Sequence, residues 1–140
     1  MKRSYKEEYQ YWLDSPALGE EEWKELSSIA EDEKEIESRF FAPLEFGTAG
    51  LRGVMATGLN RMNIHVIRWA TQAFATVVKA EGEEACKKGV VICYDCRLNS
   101  EKFAREAAGV MAANGIRVRI FDALRPTPAL SFAVIHYGAT

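Results

Sequence analysis

The stretch Phe46-Gly47-Thr48-Ala49-Gly50-Leu51-Arg52-Gly53 is the part of this 140-residue chain whose residue types point most directly to chemistry. Glycines let a backbone approach a ligand closely, and Thr48 adds a hydroxyl. Arg52 adds a planar, permanently charged fork that matches the oxygens of a phosphate. The same spacing also suits a glycine-rich turn carrying a surface arginine, and spacing alone does not separate the two. No Lys-Ser/Thr follows and no strand-glycine-helix order fits, so this is neither a P-loop nor a dinucleotide fingerprint. Asp95 and Arg97, two apart at the end of an apolar run, could serve an anionic ligand or simply order their loop. Pro126-Thr127-Pro128 reads as a stiff turn. His65 and His136 stand on expected helices with no acid or second base visibly paired to them, and structural roles are expected for both. No serine sits in a nucleophile elbow. What remains is a rim of arginines suited to an anion, without a nucleophile.

Elements that would position these residues can be read from periodicity. Residues 1–44 read as helices. Tyr5, Tyr9, Trp12 and Leu13 fall on one helical face. Ser15-Pro16 can restart a helix with Ser15 as cap, and Trp23, Leu26 and Ala30 continue an apolar stripe. Such an extension could pack its aromatic face on the next domain or dock another protein. Pro43 ends it. A helix then runs from a cap at Asn63, with Ile67, Ala70, Phe74, Val77 and Val78 as its stripe. Val90 to Tyr94 is a buried parallel strand in pattern. Asn99 or Ser100 caps a helix whose face is Phe103, Ala107, Val110, Met111 and Asn114, stopped by Gly115. Ile116, Val118 and Ile120 alternate with Arg117 and Arg119 as a second strand near a sheet edge. Leu130 to Tyr137 reads as a last helix, stopped by Gly138. Strand, helix, strand at this spacing is a right-handed βαβ unit. Its loops 95–100 and 122–128 leave the carboxyl ends of the strands, where ligands collect in such sheets.

The expected fold is therefore α/β: a three-layer α/β/α domain with a mostly parallel sheet over 45–140, preceded by a helical extension over 1–44. The pattern calls for a further strand after the last helix, whereas the sequence stops at Gly138-Ala139-Thr140, so the domain reads as truncated. An unpaired sheet edge would then favour self-association.

Composition excludes several classes. Residues 1–44 hold 6 Lys/Arg and 12 Asp/Glu, and residues 45–140 hold 12 and 8, so an acidic front of −6 precedes a basic body of +4. The sum of −2 gives no electrostatic reason to expect nucleic acid, while the basic body suits a small anion. No apolar run approaches the ~20 residues that cross a bilayer, so no membrane partner is expected. The basic start lacks an apolar segment behind it and does not read as a secretory signal, which leaves the cytoplasm as the expected location. Three cysteines, Cys86, Cys93 and Cys96, do not make a disulfide framework. Cys93 and Cys96 have C-x-x-C spacing, but Cys93 lies in a strand-like run and no second ligand pair completes a zinc site. Ordinary strand cysteines fit better.

Four segments taken together carry a resemblance. Phe46 to Gly53, Asn60-Arg61-Met62-Asn63, Tyr94-Asp95-Cys96-Arg97-Leu98-Asn99-Ser100 and Arg125-Pro126-Thr127-Pro128-Ala129-Leu130-Ser131-Phe132-Ala133-Val134 occur in an order that resembles domain I of the phosphoglucomutase/phosphomannomutase (α-D-phosphohexomutase) family. The helical extension is similar to that of the family's longer branch, which includes phosphoglucomutases and phosphopentomutases. The resemblance implies a mutase that interconverts hexose 1-phosphate and 6-phosphate, of glucose or also mannose, through a phosphoserine and a bisphosphate intermediate, with phosphopentomutase as the alternative. A different class of reading, a non-catalytic domain that binds a phosphorylated ligand or a partner, stays open. The family resemblance implies Mg²⁺ and a glucose 1,6-bisphosphate-type activator in the whole enzyme, with metal ligands outside these 140 residues. Arg52 would stabilise the transferring phosphoryl group, with Thr48 in the same loop. Thr48, Gly50, Arg52 and, less directly, Arg97 would bind phosphate. The family's Thr-Ala-Ser-His-Asn-Pro loop and its Asp-Gly-Asp-x-Asp-Arg motif do not occur in the chain, so the 140 residues alone are expected to be inactive and to bind phosphate weakly.

Overall fold

The computed structural model describes residues 3–48 and 50–140. Met1, Lys2 and Ala49 lie outside the described residues, and with them the first two residues of the basic start and one position of the glycine loop. The fold is α/β, with helices interleaved with short strands, and it forms two compact units, Met1–Val66 and Ile67–Thr140.

Helices α1 (Tyr5–Leu13), α2 (Glu20–Ser28) and α3 (Glu33–Phe40) open the first unit. Ser4 starts α1 with a capping box. Its hydroxyl accepts the Glu7 N–H at 3.3 Å, and the Glu7 carboxylate accepts the Ser4 N–H at 2.7 Å. The aromatic stripe of α1 does what its spacing predicts. Tyr9 is buried with Leu26, Ile36 and Phe40, while Tyr5, Trp12 and Leu13 pack against that cluster. Phe40 meets the rings of Tyr9 and Trp12 edge-on, with centroids 5.6 and 5.7 Å apart. The Tyr9 hydroxyl donates to the Leu26 carbonyl at 2.9 Å, so burying the phenol leaves no unsatisfied donor.

Two expectations for this region need correction. The second helix does not restart at Ser15-Pro16. It begins at Glu20, because the Glu22 carboxylate reaches back to the Gly19 N–H at 2.9 Å, and the Ser15 hydroxyl caps only a turn, accepting from Ala17. Trp23 and Ala30 are not part of a buried stripe. Trp23 faces solvent and Ala30 lies beyond the helix end at Ser28, which leaves Leu26 as the buried residue of α2. A third helix, α3, had no separate expectation. Asp32 caps it by accepting the Glu35 N–H at 3.0 Å, and Ile36 and Phe40, four apart, supply its apolar face.

Strands β1 (Phe46–Gly47) and β2 (Gly50–Leu51) then form an antiparallel hairpin, pairing Phe46 with Leu51 and Gly47 with Gly50.

Helix α4 (Ile64–Ala80) starts where expected, with the Asn63 side-chain oxygen Oδ1 accepting the Val66 N–H at 3.0 Å. Its buried side matches the expected stripe only in part, at Val78. Within the second unit Ala75 and Val78 enter the core, whereas Phe74 and Val77 are more than half exposed. The helix carries apolar residues on more than one side, so periodicity could not tell which side would find partners. The partners are Ala85 of α5 (Glu83–Lys88), Val90 of β3 (Val90–Ile92), Met111 of α6 (Ser100–Ala113) and Ile116, just ahead of β4 (Val118–Ile120).

Strands β3 and β4 are parallel, with Val90 opposite Val118 and Ile92 opposite Ile120, as the βαβ pattern requires. The strand-like run at 90–94 is hydrogen-bonded as strand only to Ile92. Gly115 and Gly138 end α6 and α7 (Thr127–Tyr137) as expected. Two caps differ. Asn99 occupies the cap position of α6 in a left-handed conformation with no side-chain cap, and the Ser100 hydroxyl instead accepts the Asp95 N–H at 3.1 Å. Helix α7 begins at Thr127, so Pro126-Thr127-Pro128 is a helix start with Pro128 in the first turn, not a free-standing turn.

Candidate functional site

The glycine loop becomes a hairpin because glycine permits what other residues resist. Gly50 has φ +97°, and a Cβ there would touch nothing within 4 Å, so the requirement for glycine lies in the backbone itself. Glu45, Gly47, Thr48, Gly50 and Arg52 line a cavity of about 280 Å³ at the mouth of the hairpin. Thr48 and Arg52 are exposed, and Arg52 makes no hydrogen bond or ion pair among the described residues. A guanidinium left without a partner beside a threonine hydroxyl and glycine backbone is equipped to hold phosphate oxygens. Glu45 was not singled out from the sequence. Nothing in its spacing marks it, because the hairpin turn is what brings it to the same cavity. One carboxylate and one guanidinium nearly cancel, so an anion entering here gains little from net charge and depends on bidentate geometry.

In the second unit, the loops after β3 and β4 meet as the βαβ topology predicts, with the Arg125 N–H donating to the Tyr94 carbonyl at 3.2 Å. Arg97 is committed to its own loop. Its backbone N–H donates to Asp95 at 3.0 Å and its Nε to the same carboxylate at 2.9 Å. Those bonds, side chain first and backbone second, hold the Asp95 carboxyl below its ordinary range. Arg125 lies 3.6 Å from Asp122 across the second loop.

The expectation that His65 lacks an acid partner is corrected. Its Nε2 lies 3.1 Å from Glu22, and its ring stands edge-on to Trp12 at 5.5 Å. The two residues are 43 apart in sequence, so no local spacing could have paired them. His136 stacks on Phe132 at 5.6 Å. Cys86, Cys93 and Cys96 are all free thiols. Among the described residues no three His, Cys, Asp or Glu side chains gather to hold a metal ion, and the cavity beside Arg52 offers a single carboxylate. That donor set does not fit Mg²⁺. No described helix is long and apolar enough to cross a membrane.

Comparison with known proteins gives a consistent picture. Residues 43–140 match the family model for phosphoglucomutase/phosphomannomutase, alpha/beta/alpha domain I. The chain is 40% identical over 134 residues to a human phosphopentomutase, a match covering 89% of this chain and 22% of that protein. It is 38% identical over 104 residues to a phosphoglucomutase of Staphylococcus saprophyticus, covering 74% and 18%. A probable phosphoribomutase of Schizosaccharomyces pombe is 38% identical over 109 residues, covering 78% and 19%. The chain thus spans about a fifth of the length of the curated relatives it matches. No solved structure matches it significantly.

Proposed function

Since this chain belongs to the phosphoglucomutase/phosphomannomutase family of sugar-phosphate mutases, we propose that its Phe46–Leu51 hairpin is one half of a phosphoryl-transfer site, with Arg52 as the residue that holds the moving phosphoryl group. The observation that carries this reading is the Arg52 guanidinium, unpaired among the described residues, at the mouth of the hairpin cavity beside Thr48 and Gly50. Phosphoryl transfer asks little covalent chemistry of the protein and much positioning and charge stabilisation, and a permanently charged guanidinium supplies the charge. Arg97, already bonded to Asp95, fits a supporting role in its own loop better than direct contact with substrate. Nucleophile, metal and sugar recognition belong to residues other than these 140, so the chain by itself has no mutase activity.

The substrate of the whole enzyme, on this reading, is a hexose 1-phosphate interconverted with its 6-phosphate, with Mg²⁺ and a sugar bisphosphate activator supplied at other parts of the site. A pentose phosphate is the second reading. It is favoured by one observation: the match to the phosphopentomutase covers 89% of the chain, against 74% for the phosphoglucomutase.

The test is a titration of the isotope-labelled chain with inorganic phosphate, glucose 1-phosphate and ribose 1-phosphate, following the amides of Thr48, Gly50 and Leu51. Binding in the millimolar range that weakens with salt and disappears in Arg52→Ala is expected, on the order of 4 kcal/mol in total. Unmoved hairpin amides at saturating phosphate, or unchanged binding in Arg52→Ala, would refute it.

A further inference from the structure

The hairpin that carries Arg52 is only two residues wide on each side, and an isolated hairpin of that size does not hold its shape in water. Its two ends are fixed from below. Leu44, before it, donates its N–H to the Leu59 carbonyl at 3.1 Å, and Val54, after it, accepts the Met62 N–H at 2.8 Å. The segment 54–62 is therefore the base of the hairpin, and what holds this base is carried by the N-terminal helices.

Glu25 of α2 is central to that hold. Its carboxylate accepts the Thr57 hydroxyl at 2.6 Å and the Thr57 N–H at 3.2 Å, and pairs with Arg39 of α3 at 2.5 Å. Arg39 in turn donates to the Thr57 carbonyl at 3.0 Å and to Glu35 at 2.8 Å, while its own carbonyl accepts the Asn60 N–H at 2.7 Å. Arg61 donates to the Ser38 hydroxyl at 2.8 Å and to the Ser38 carbonyl at 3.1 Å. Thr57 and Arg61 are buried and Arg39 is largely so, while the Glu25 side chain keeps its outer side toward water, 38% exposed. The backbones touch as well: at Gly58, whose φ is +144°, a Cβ would lie 2.9 Å from the Cβ of Arg39. Burial alone would raise the Glu25 carboxyl, and the bonds from Thr57 and Arg39 outweigh it, holding the group below its ordinary range.

We propose that Glu25 is a positioning residue: through Thr57 and Arg39 it fixes the 54–62 base and so sets the direction in which the hairpin presents Arg52. The inference rests on the phosphate reading of that hairpin for its functional meaning, and on the hydrogen bonds alone for its structural one. It gives the helical extension a task within the site, instead of a docking surface for another protein.

Amide hydrogen exchange on the chain without ligand tests the structural half. In Glu25→Ala, exchange at Leu44, Asn60 and Met62 is expected to quicken roughly 10-fold or more, while amides of α1 and α3 that face the Tyr9–Phe40 cluster keep their wild-type rates. Titration with inorganic phosphate tests the other half: the shifts at Gly50 and Leu51 should need roughly 10-fold more phosphate than in wild type. Should Glu25→Ala not fold, Thr57→Val, which removes one hydroxyl and keeps the shape, carries the same two readouts with smaller changes. Unchanged exchange at the three base amides, equal acceleration throughout α1 and α3, or quickened exchange with unaltered phosphate affinity would each overturn the proposal. Quickened exchange in a protein whose wild type shows no phosphate response would leave the Glu25 anchor of the base in place and overturn the phosphate reading.

Discussion

Asparagine and aspartate are close to interchangeable as helix N-caps, and at Asn63 they should not be. The side chain works in two directions there. Its oxygen accepts the Val66 N–H at 3.0 Å to cap α4, while its amide nitrogen donates to the carbonyls of Gly58 at 2.8 Å and Ala56 at 3.0 Å. The residue is buried, so water does not replace lost partners freely. Asn63→Ala removes a cap of ~1 kcal/mol and two donors of ~1 kcal/mol each, for a loss of about 3 kcal/mol. Asn63→Asp keeps the cap but turns a carboxylate toward two carbonyl oxygens, and should cost at least as much at pH 7. The pH dependence follows from that contact. Carbonyl neighbours and burial raise the folded-state pKa of the introduced carboxyl above its unfolded value of about 3.9, so the native state retains a proton that the unfolded chain releases. Stability of the variant relative to wild type therefore falls as pH rises from about 4 through the raised value. Urea unfolding of wild type and both variants at pH 7 and pH 4.5 measures this. An Asn63→Asp protein within ~0.5 kcal/mol of wild type at pH 7 would refute the reasoning, and so would an Asn63→Ala loss no larger than a cap alone.

Two further expectations concern the first unit. Leu26 is fully buried against Tyr9, Ile36 and Phe40, so Leu26→Ala should cost roughly 2–5 kcal/mol in chemical denaturation; a loss under ~1 kcal/mol would mean the cluster is not the core. The carboxyls of Glu25 and Glu35 sit below their ordinary range, Glu35 chiefly through its hydrogen bond from Arg39. Their stabilisation is fully present above the unfolded glutamate value of about 4.3 and is lost as pH falls through the lowered folded values. Wild type should therefore lose stability below about pH 4, and Glu25→Gln should lose less over that range; parallel acid unfolding curves for the two proteins would count against this assignment.

Much of the fold was legible because its signals are local. The capping oxygen of Asn63, the parallel pairing of Val90–Ile92 with Val118–Ile120, the stops at Gly115 and Gly138 and the aromatic face of α1 all follow from residue type at short range. Such features depend on backbone hydrogen bonds and side-chain periodicity within one or two turns, which a sequence displays directly. The family, too, was legible in four short segments. Which side of α4 is buried was legible only in part. Phe74 and Val77 are at least as apolar as Ala75, and only the tertiary partners Ala85, Val90 and Met111 leave those two exposed while Ala75 joins the expected Val78 in the core.

The candidate site divides the same way. Glycines at 47 and 50, with Thr48 and Arg52 beside them, left open in the sequence either a loop suited to an anion or a plain glycine-rich turn. Asp95 and Arg97, two apart, could be read as ordering their own loop, and the structure pairs them there. Tertiary structure alone decided that Arg52 is left unpaired among the described residues, that Glu45 shares the cavity, and that Glu25 reaches Thr57 across 32 residues. Residue type determines what a side chain is able to do. Whether its charge is spent on a neighbour or kept for a ligand depends on contacts between segments far apart in the chain, and these form only when the helices pack.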